Sequence, residues 1–360
     1  MGILFREGVV LERAAHVRVV LFDKTGTLTE GRPEVKHALA LEPHVAVDDV
    51  VRLAASVEQN SEHHLAQAVA QYARTQGITP LPADHFRAYP GLGVEAVVEG
   101  RLVMVGNRDL LSHMGIALPR LAELRAEELA VKGMTPVFLS MAPWPGGRPG
   151  AAEHAGRSPA EERERPRGSQ FRVLGILAIA DRLRERSGAA VDQLRDLGVE
   201  PYMVTGDHAH VAEAVAAQLG IRHVFAQVKP DEKARIVADL QKEGQVVAFV
   251  GDGINDAPAL AQADVGIAFG GGTDVAIEAG HVVILHDEPL AVPVTLRLAR
   301  RTLRIIYGNL FWAFFYNVVA IPLAALRWLH PLIAAAAMSF SSLSVVLNSL
   351  RLRRFSPFGL

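Results

Sequence analysis

The 360-residue chain contains no cysteine. That excludes disulfides, and it excludes any thiolate metal ligand supplied by this chain. It has almost no charge imbalance, with a formal net charge of -2, so nothing points to a nucleic-acid partner. Its opening, MGILFREGVVLERAA, is not a basic n-region followed by an apolar h-region, so no secretory leader is expected there. It also has Arg6 where a myristoylation signal carries Ser or Thr. Two stretches, from Ile305 to Leu326 and from Pro331 to Leu350, hold neither an acid nor a lysine.

What is present is apolar. Half of the residues are hydrophobic (50%), enough for two or three domains with cores. The two uncharged stretches are each about 20 residues, the length that crosses a bilayer core. Arg297, Arg300, Arg301 and Arg304 precede the first, and Arg351, Arg353 and Arg354 follow the second. Arg327 and His330 lie in the short link. The positive-inside rule makes this a helical hairpin with both ends cytosolic. The competing reading is two buried helices of a soluble domain, but such helices are usually shorter and apolar on one side only. The first stretch carries Asn309, Tyr316, Asn317 and Pro322, polar groups and a helix-breaker where both are costly.

Between residues 16 and 32, HVRVVLFDKTGTLTEG reads as a buried strand that ends in a turn. The segment 33–172 reads as mixed α and β. DDVVRLAASVEQNSEHHLAQAVAQYARTQG reads as helical, in one helix or two. GVEAVVEGRLVMVGN predicts a hairpin turning at Glu99–Gly100. LAELRAEELAVKG predicts a helix stopped by Gly133. Residues 144–170 are rich in Pro, Gly, Glu and Arg with no apolar period, which predicts a disordered surface insertion. After it, strands and helices alternate to about residue 290, beginning with FRVLGILAIAD, which reads as a strand pair or one long strand. This rhythm predicts an open parallel sheet with helices on both faces. Ligands of such sheets bind beyond the carboxyl ends of the strands, where Asp23, Asp207 and Asp252 are expected to converge.

Asp23 closes an apolar strand, where a carboxylate can accept a phosphoryl group. The backbone N–H groups of the Lys-Thr-Gly-Thr turn after it can cradle phosphate oxygens. Thr205-Gly206-Asp207 repeats the device, and Lys233 can neutralise phosphate charge. GDGINDAP supplies Asp252 and Asp256, hard oxygen ligands suited to Mg2+, and Asn255 as a hydrogen-bonding partner for the phosphorylated site. Singly these features are weak, since a strand-end Asp is often only a helix N-cap. Their joint occurrence, in this order, is what carries the reading.

DKTGTLT, TGD and GDGINDAPALAQADVGIA resemble the phosphorylation and hinge motifs of P-type ATPases on the haloacid-dehalogenase fold. The resemblance implies an α/β chain: a parallel-sheet phosphorylation domain (16–32 and 173–290), an inserted α+β nucleotide-binding domain (33–172), and two transmembrane helices (about 305–326 and 331–350, within 291–360). Residues 1–15 would be a stub leaving the membrane. Asp23 would be the phosphorylated aspartate, with Lys24, Thr25, Thr205, Gly206, Asp207, Lys233 and Asn255 around the phosphate. Mg2+ would sit on Asp23, Thr25, Asp252 and Asp256. SEHHLAQAV resembles the Ser-Glu-His-Pro-Leu signature of the heavy-metal branch, with His64 in place of its proline. ATP would then lie against Glu62, His63, Gly91, Gly93, Gly106 and Asn107. Soluble phosphatases of the superfamily carry a second Asp two residues after the nucleophile. Here that position is Thr25, and without that base an aspartyl phosphate should persist.

The last spans resemble the copper(I) subgroup. Asn309 is followed by Tyr316-Asn317 and Pro322, and Met338 by Ser341-Ser342 and Asn348. The lysine and Asp-x-Gly of the zinc subgroup are missing. A thioether from Met338 suits a soft monovalent ion, whereas a divalent ion in hydrocarbon would want acids. Silver(I) fits the same ligands. The competing reading is that Ser, Asn and Met simply join two membrane helices. The family's Cys-Pro-Cys helix and its actuator domain with Thr-Gly-Glu do not occur in the chain. The expectation is therefore the C-terminal half of a multi-pass copper(I) exporter of the plasma membrane. It would work with that other half and with a copper chaperone as possible partner. The alternatives are a non-transporting ATP-binding fragment and a membrane-tethered phosphatase.

Overall fold

A computed structural model describes residues 2–61, 64–144, 166, 168–326 and 331–356. In chain order its first elements are β1 (Ile3–Phe5), α1 (Gly8–His16), β2 (Val19–Asp23), β3 (Thr29–Ala40), α2 (Val47–Glu58), α3 (His64–Thr75) and β4 (Ala83–Tyr89). Then follow β5 (Gly93–Val98), β6 (Arg101–Gly106), α4 (Arg108–His113), α5 (Arg120–Val131), β7 (Thr135–Pro143) and β8 (Arg172–Leu183). Next are α6 (Ser187–Asp196), β9 (Glu200–Val204), α7 (Ala209–Leu219), β10 (His223–Phe225), α8 (Pro230–Lys242) and β11 (Val247–Gly251). The chain continues with α9 (Ala257–Gln262), β12 (Val265–Phe269), α10 (Asp274–Ala279), β13 (Val282–Ile284), α11 (Ala291–Ala325) and α12 (Pro331–Leu350). Two compact units result: Met1–Leu28 with Arg184–Gly206 and Leu219–Leu360, and Thr29–Leu183 with Asp207–Gln218.

The first unit holds a seven-stranded sheet in the order β1-β13-β12-β11-β2-β9-β10. Every pairing is parallel except β1 on β13. β2, β11 and β12 are buried along their whole length, as near-continuous Val, Ile, Leu and Phe runs require in a sheet covered on both faces. Phe22, Phe249 and Phe269 are among its fully buried side chains, each stabilising by roughly 2–3 kcal/mol. From β2 the chain order runs outward in both directions, so β2 lies at a topological switch point. Residues 1–15 are not a bare stub. They supply the antiparallel edge strand β1 and the helix α1, because an exposed sheet edge is satisfied by pairing.

The first turns of α11 are buried in this unit. Leu296, Ala299 and Leu303 are buried, and Arg300 donates to the carbonyls of Ala15, Val17 and Leu197. From Ile306 on, large apolar side chains are exposed, Phe311, Phe314, Val318 and Ile321 among them. Residues Ala291–Leu323 are long and apolar enough to cross a membrane, with a mean hydropathy of 1.4 in the best window. The span expected from residue 305 is thus the outer part of one 35-residue helix. Pro322 lies inside it.

The second unit holds a six-stranded antiparallel sheet in the order β3-β8-β7-β6-β5-β4. Its β5–β6 turn has Glu99 at φ 48° and Gly100 at φ 74°, the type I′ pattern that fits strand twist. α2 and α3 pack on one face around Val50, Ala54 and Val69. α4 and α5 contribute to a separate core around Leu110, Leu111 and Leu129. The boundary expected at 172/173 moves. β8 pairs with β3 and β7, so the second unit runs through Leu183 and begins at Thr29. The cause is physical: VLGILAIA is buried on both faces and reads alike in either kind of sheet. Most of the expected 144–170 insertion lies outside the described residues.

Candidate active site

Asp23 ends β2 at the switch point, and its side chain is buried. The chain then turns through Lys24–Leu28 with Gly26 at φ 77°. Glycine is required there twice over. The left-handed backbone disfavours a side chain, and a Cβ on Gly26 would lie 1.9 Å from Asp252 Oδ2. The turn is pinned from the far end of the inserted segment. Arg184 Nη2 donates to the Gly26 carbonyl at 2.7 Å, Arg184 N–H to the Leu28 carbonyl at 3.0 Å, and Ser187 Oγ to that same carbonyl at 2.8 Å. Arg184 Nη1 is in turn fixed by the Asp287 carbonyl at 2.9 Å.

Lys233, near the start of α8, reaches into this space. Pro230 opens that helix, and Glu232 accepts from the Lys229 N–H at 2.9 Å, so its first turn is set. Lys233 Nζ donates to Asp23 Oδ1 and to Asp256 Oδ1, each at 2.7 Å. All three groups are buried, with Asp256 only 1% exposed. Asp256 Oδ2 accepts from the Gly253 N–H at 3.1 Å, which fixes its carboxylate. Asp252, beyond the end of β11, is half-buried, and its carbonyl accepts from the Thr273 N–H at 2.9 Å. Oxygen atoms of Asp23, Asp252 and Asp256 all lie within 4.8 Å of one another.

Two carboxylates share one ammonium with a third acid close by, and the titration behaviour follows. Burial first, then the Asp256 charge, push Asp23 from its ordinary 3.8 up to about 7 against the pull of Lys233. Burial and Asp256 also push Asp252 up to about 6, with Arg184 opposing. Burial pulls Lys233 down, but Asp23 and Asp256 outweigh it and hold it above the ordinary lysine value. Excess negative charge on converging hard oxygens is the donor set a divalent cation such as Mg2+ prefers. The residues fit that ion.

The other expected residues divide. Lys24 is buried beside Asp23 in the turn, while Thr25 is exposed. Thr205 is buried at the end of β9, where its N–H donates to the Phe225 carbonyl at 2.9 Å, and Gly206 after it is exposed. Asn255 is exposed in a short 3-10 turn. Of the acids expected at the strand ends, Asp23 and Asp252 lie in the carboxylate cluster with Asp256, and Asp207 follows β9, which pairs in parallel with β2. Three contributors were not anticipated. Arg184 and Asp287 fix the turn, and no local pattern marks them. Thr27 lies in the same turn, and its hydroxyl is fully buried with no hydrogen-bond partner among the described residues.

In the second unit, Gly93 and Gly106 face each other across β5 and β6. The space a Cβ would take is filled by protein: the Val105 carbonyl at 2.3 Å from Gly93, and Leu110 Cδ2 at 2.4 Å from Gly106. These two glycines thus serve the packing of the sheet itself. A Cβ on Gly91 would meet open space. Asn107 caps α4, accepting from the Leu110 N–H and donating to the Gly91 carbonyl, each at 3.0 Å. Glu62 and His63 lie outside the described residues. Just before them, Glu58 is a buried acid that the sequence reading passed over, pushed by burial to about 7 against a hydrogen bond from Ser61. In the outer helices, Asn317 donates to the Ala313 carbonyl of its own helix at 2.8 Å, and Tyr316 is half-buried beside Trp312. Ser341 is half-buried and Ser342 exposed, and the side chain of Met338 lies outside the described residues.

A strand-end aspartate bound to a helix lysine, with two further acids from one loop, is a phosphoryl-transfer arrangement. The model of haloacid dehalogenase-like hydrolases matches residues 17–264. A probable copper-exporting P-type ATPase V of Mycobacterium tuberculosis is 44% identical over 359 residues, covering 100% of this chain and 43% of that protein. A probable copper-importing P-type ATPase A of Enterococcus hirae is 40% identical, covering 98% of this chain and 44% of that protein. A crystal structure of a zinc-transporting PIB-type ATPase in its E2.Pi state superposes with a TM-score of 0.73 at 32% identity, over 98% of this chain and 52% of that one. The chain spans less than half the length of the curated relatives it matches. With Asp23 on the central strand of the matched region, the chain belongs to the haloacid dehalogenase-like hydrolase family.

Proposed function

We propose that the chain is the catalytic part, and a portion of the membrane part, of an ATP-driven copper(I) exporter that works through an aspartyl phosphate on Asp23. The observation that carries this reading is the buried Asp23–Lys233–Asp256 set with Asp252 beside it. An oxygen of Asp23 attacks the γ-phosphorus of ATP. The new carboxyl oxygen–phosphorus bond forms as the bond to the β-bridging oxygen breaks, and ADP leaves with the electron pair. Lys233 holds the attacking carboxylate and balances charge in the transition state. Asp23, Thr25, Asp252 and Asp256 are the residues that would hold Mg2+, which supplies charge neutralisation for the phosphoryl group when bound. Lys24, Thr205, Gly206, Asp207 and Asn255 are assigned to the phosphate and its surroundings.

Thr25, exposed and without an ionisable group, stands where a phosphatase has its acid–base. The phosphoenzyme is then long-lived, as a pump that changes shape between phosphorylation and hydrolysis requires. ATP is assigned to the second unit through Glu62 and His63 and the Gly91–Asn107 corner, with Glu58 added. Copper(I) is assigned to Tyr316, Asn317, Met338, Ser341 and Ser342. The zinc transporter in the structural comparison does not alter this choice, because neither outer helix carries an acid to neutralise a divalent ion. Silver(I) is the second cargo these ligands fit. The lipid bilayer, the polypeptide that completes the pump and a copper chaperone are the proposed partners, in the plasma membrane with the catalytic units cytosolic.

The test uses the full-length pump with γ-labelled ATP and Cu(I), wild type against Asp23→Asn. Acid-stable label on the wild type and none on the variant is expected. Equal label on both sinks the assignment.

A further inference from the structure

At the inner end of the helical hairpin, two amides from different helices bond to one another. Asn348 Nδ2 donates to Asn309 Oδ1 at 2.9 Å and to the Ile305 carbonyl at 3.2 Å. Asn309 Nδ2 donates to Ser349 Oγ at 2.9 Å, and Ser349 Oγ passes its own proton to the Val345 carbonyl at 2.8 Å. Arg351 donates to Asn348 Oδ1 at 3.3 Å. Gly308 leaves room for this, since a Cβ there would lie 3.0 Å from Asn348 Nδ2. The polar groups nearer the middle of the hairpin behave differently. Asn317 and Ser344 each bond to a carbonyl of their own helix, so those bonds do not set one helix against the other.

A network that joins fixed positions on both helices tolerates no slip. Moving α12 by one residue rotates its side chains by about 100° and shifts them about 1.5 Å, which breaks every cross-helix bond at once. The register it fixes has a consequence deeper in the hairpin. Tyr316 and Asn317 lie roughly 11–12 Å along α11 from Asn309, and Ser341 and Ser342 roughly 9–11 Å along α12 from Asn348. The two antiparallel helices therefore bring these pairs to the same depth, with Met338 one turn further on.

We propose that the Asn309–Asn348–Ser349 network is a register pin that positions the metal-binding side chains from two turns away. The proposal rests on the copper(I) reading for its ligands, but the pin itself does not depend on copper.

The absence of cysteine makes the test direct. Ala313 and Ser344 are each one turn from the pin towards the ligands, and both are half-buried. In the full chain reconstituted in lipid, Ala313→Cys with Ser344→Cys should cross-link through a short bismaleimide. Adding Asn348→Leu should lower that yield at least fivefold and raise yields at neighbouring cysteine positions. Gly308→Val, which leaves both amides in place but crowds Asn348, should do the same. An unchanged cross-linking pattern in both variants overturns the pin. The second arm measures Cu(I) taken from a chelator by the full-length pump without introduced cysteines. Asn348→Leu should bind about tenfold more weakly, while ATP binding stays as in the wild type and reports an intact fold. A shifted register with unchanged Cu(I) affinity overturns the positioning role. A full-length wild-type pump that takes up no Cu(I) sinks the copper reading, and the cross-linking arm still decides the pin.

Discussion

The two sheets are written in the same alphabet of Val, Ile, Leu and Ala, yet they treat buried carboxyl groups in opposite ways. In the parallel sheet, β2 and β11 end on the same side, so Asp23 and the Asp252–Asp256 loop meet and Lys233 joins them. In the antiparallel sheet neighbouring strands end on opposite sides, and no such gathering follows from topology. Its unit buries Glu58 instead, on a helix, with Ser61 as the hydrogen-bonding group that holds it down. Both acids are pushed to about 7, Asp23 by burial and crowding together and Glu58 by burial alone. Against that rise Asp23 has a buried lysine charge, and Glu58 has only the Ser61 hydrogen bond.

Removing the lysine breaks this comparison most severely. Lys233→Met leaves three carboxylates within 4.8 Å of one another without their bridging ammonium. Breaking a buried ion pair typically costs about 3–5 kcal/mol. The variant should melt well below the wild type and lose labelling from ATP by at least about a hundredfold, since roughly 3 kcal/mol of transition-state stabilisation is enough. Wild-type labelling in this variant, read by acid-stable counts, would remove Lys233 from the mechanism. A smaller effect is expected from Mg2+ alone. Asp23 and Asp252 are raised in the folded state, so the metal-free chain binds more protons folded than unfolded between about pH 4 and 7. Its stability is full below that window and falls as pH rises through it. Millimolar Mg2+ should raise the melting temperature at pH 8 and hardly at pH 5, where the carboxyl groups are protonated. A rise of equal size at both pH values would mean the ion binds elsewhere.

How much of this was legible in the sequence depends on whether a feature is local. The strand before Asp23, the turn at Glu99–Gly100 and the helix carrying Lys233 are written in consecutive residues, and the structure has them where expected. The partner of β8 is not so written. A strand buried on both faces carries the same apolar run whichever sheet receives it, so the domain boundary was displaced by eleven residues to Leu183. The edge strand β1 is three residues long, too short for any period to show. Arg184 lies 158 residues from the Gly26 carbonyl it holds, a pairing that exists only because the inserted unit leaves and returns at the same place. Asp256 bonding to Lys233 is a related case, since GDGINDAP offers two acids and only the loop geometry chooses between them.

Glu58 gives the smallest effect and the sharpest contrast with Asp23. Its carboxyl group is raised from 4.5 to about 7 by burial, so its charging above pH 7 works against the fold. Glu58→Gln removes that charge while keeping the shape. The variant should match the wild type at pH 5, where Glu58 is already neutral. At pH 8.5 it should be more stable by about 1–2 kcal/mol, less than the shift alone implies because the new amide must find its own partners. The sign is opposite to that of Lys233→Met, which destabilises most where the carboxylates are ionised. If Glu58→Gln is instead less stable at pH 8.5, the carboxylate has a cationic or donor partner beyond Ser61, and the two buried acids are held in the same way after all.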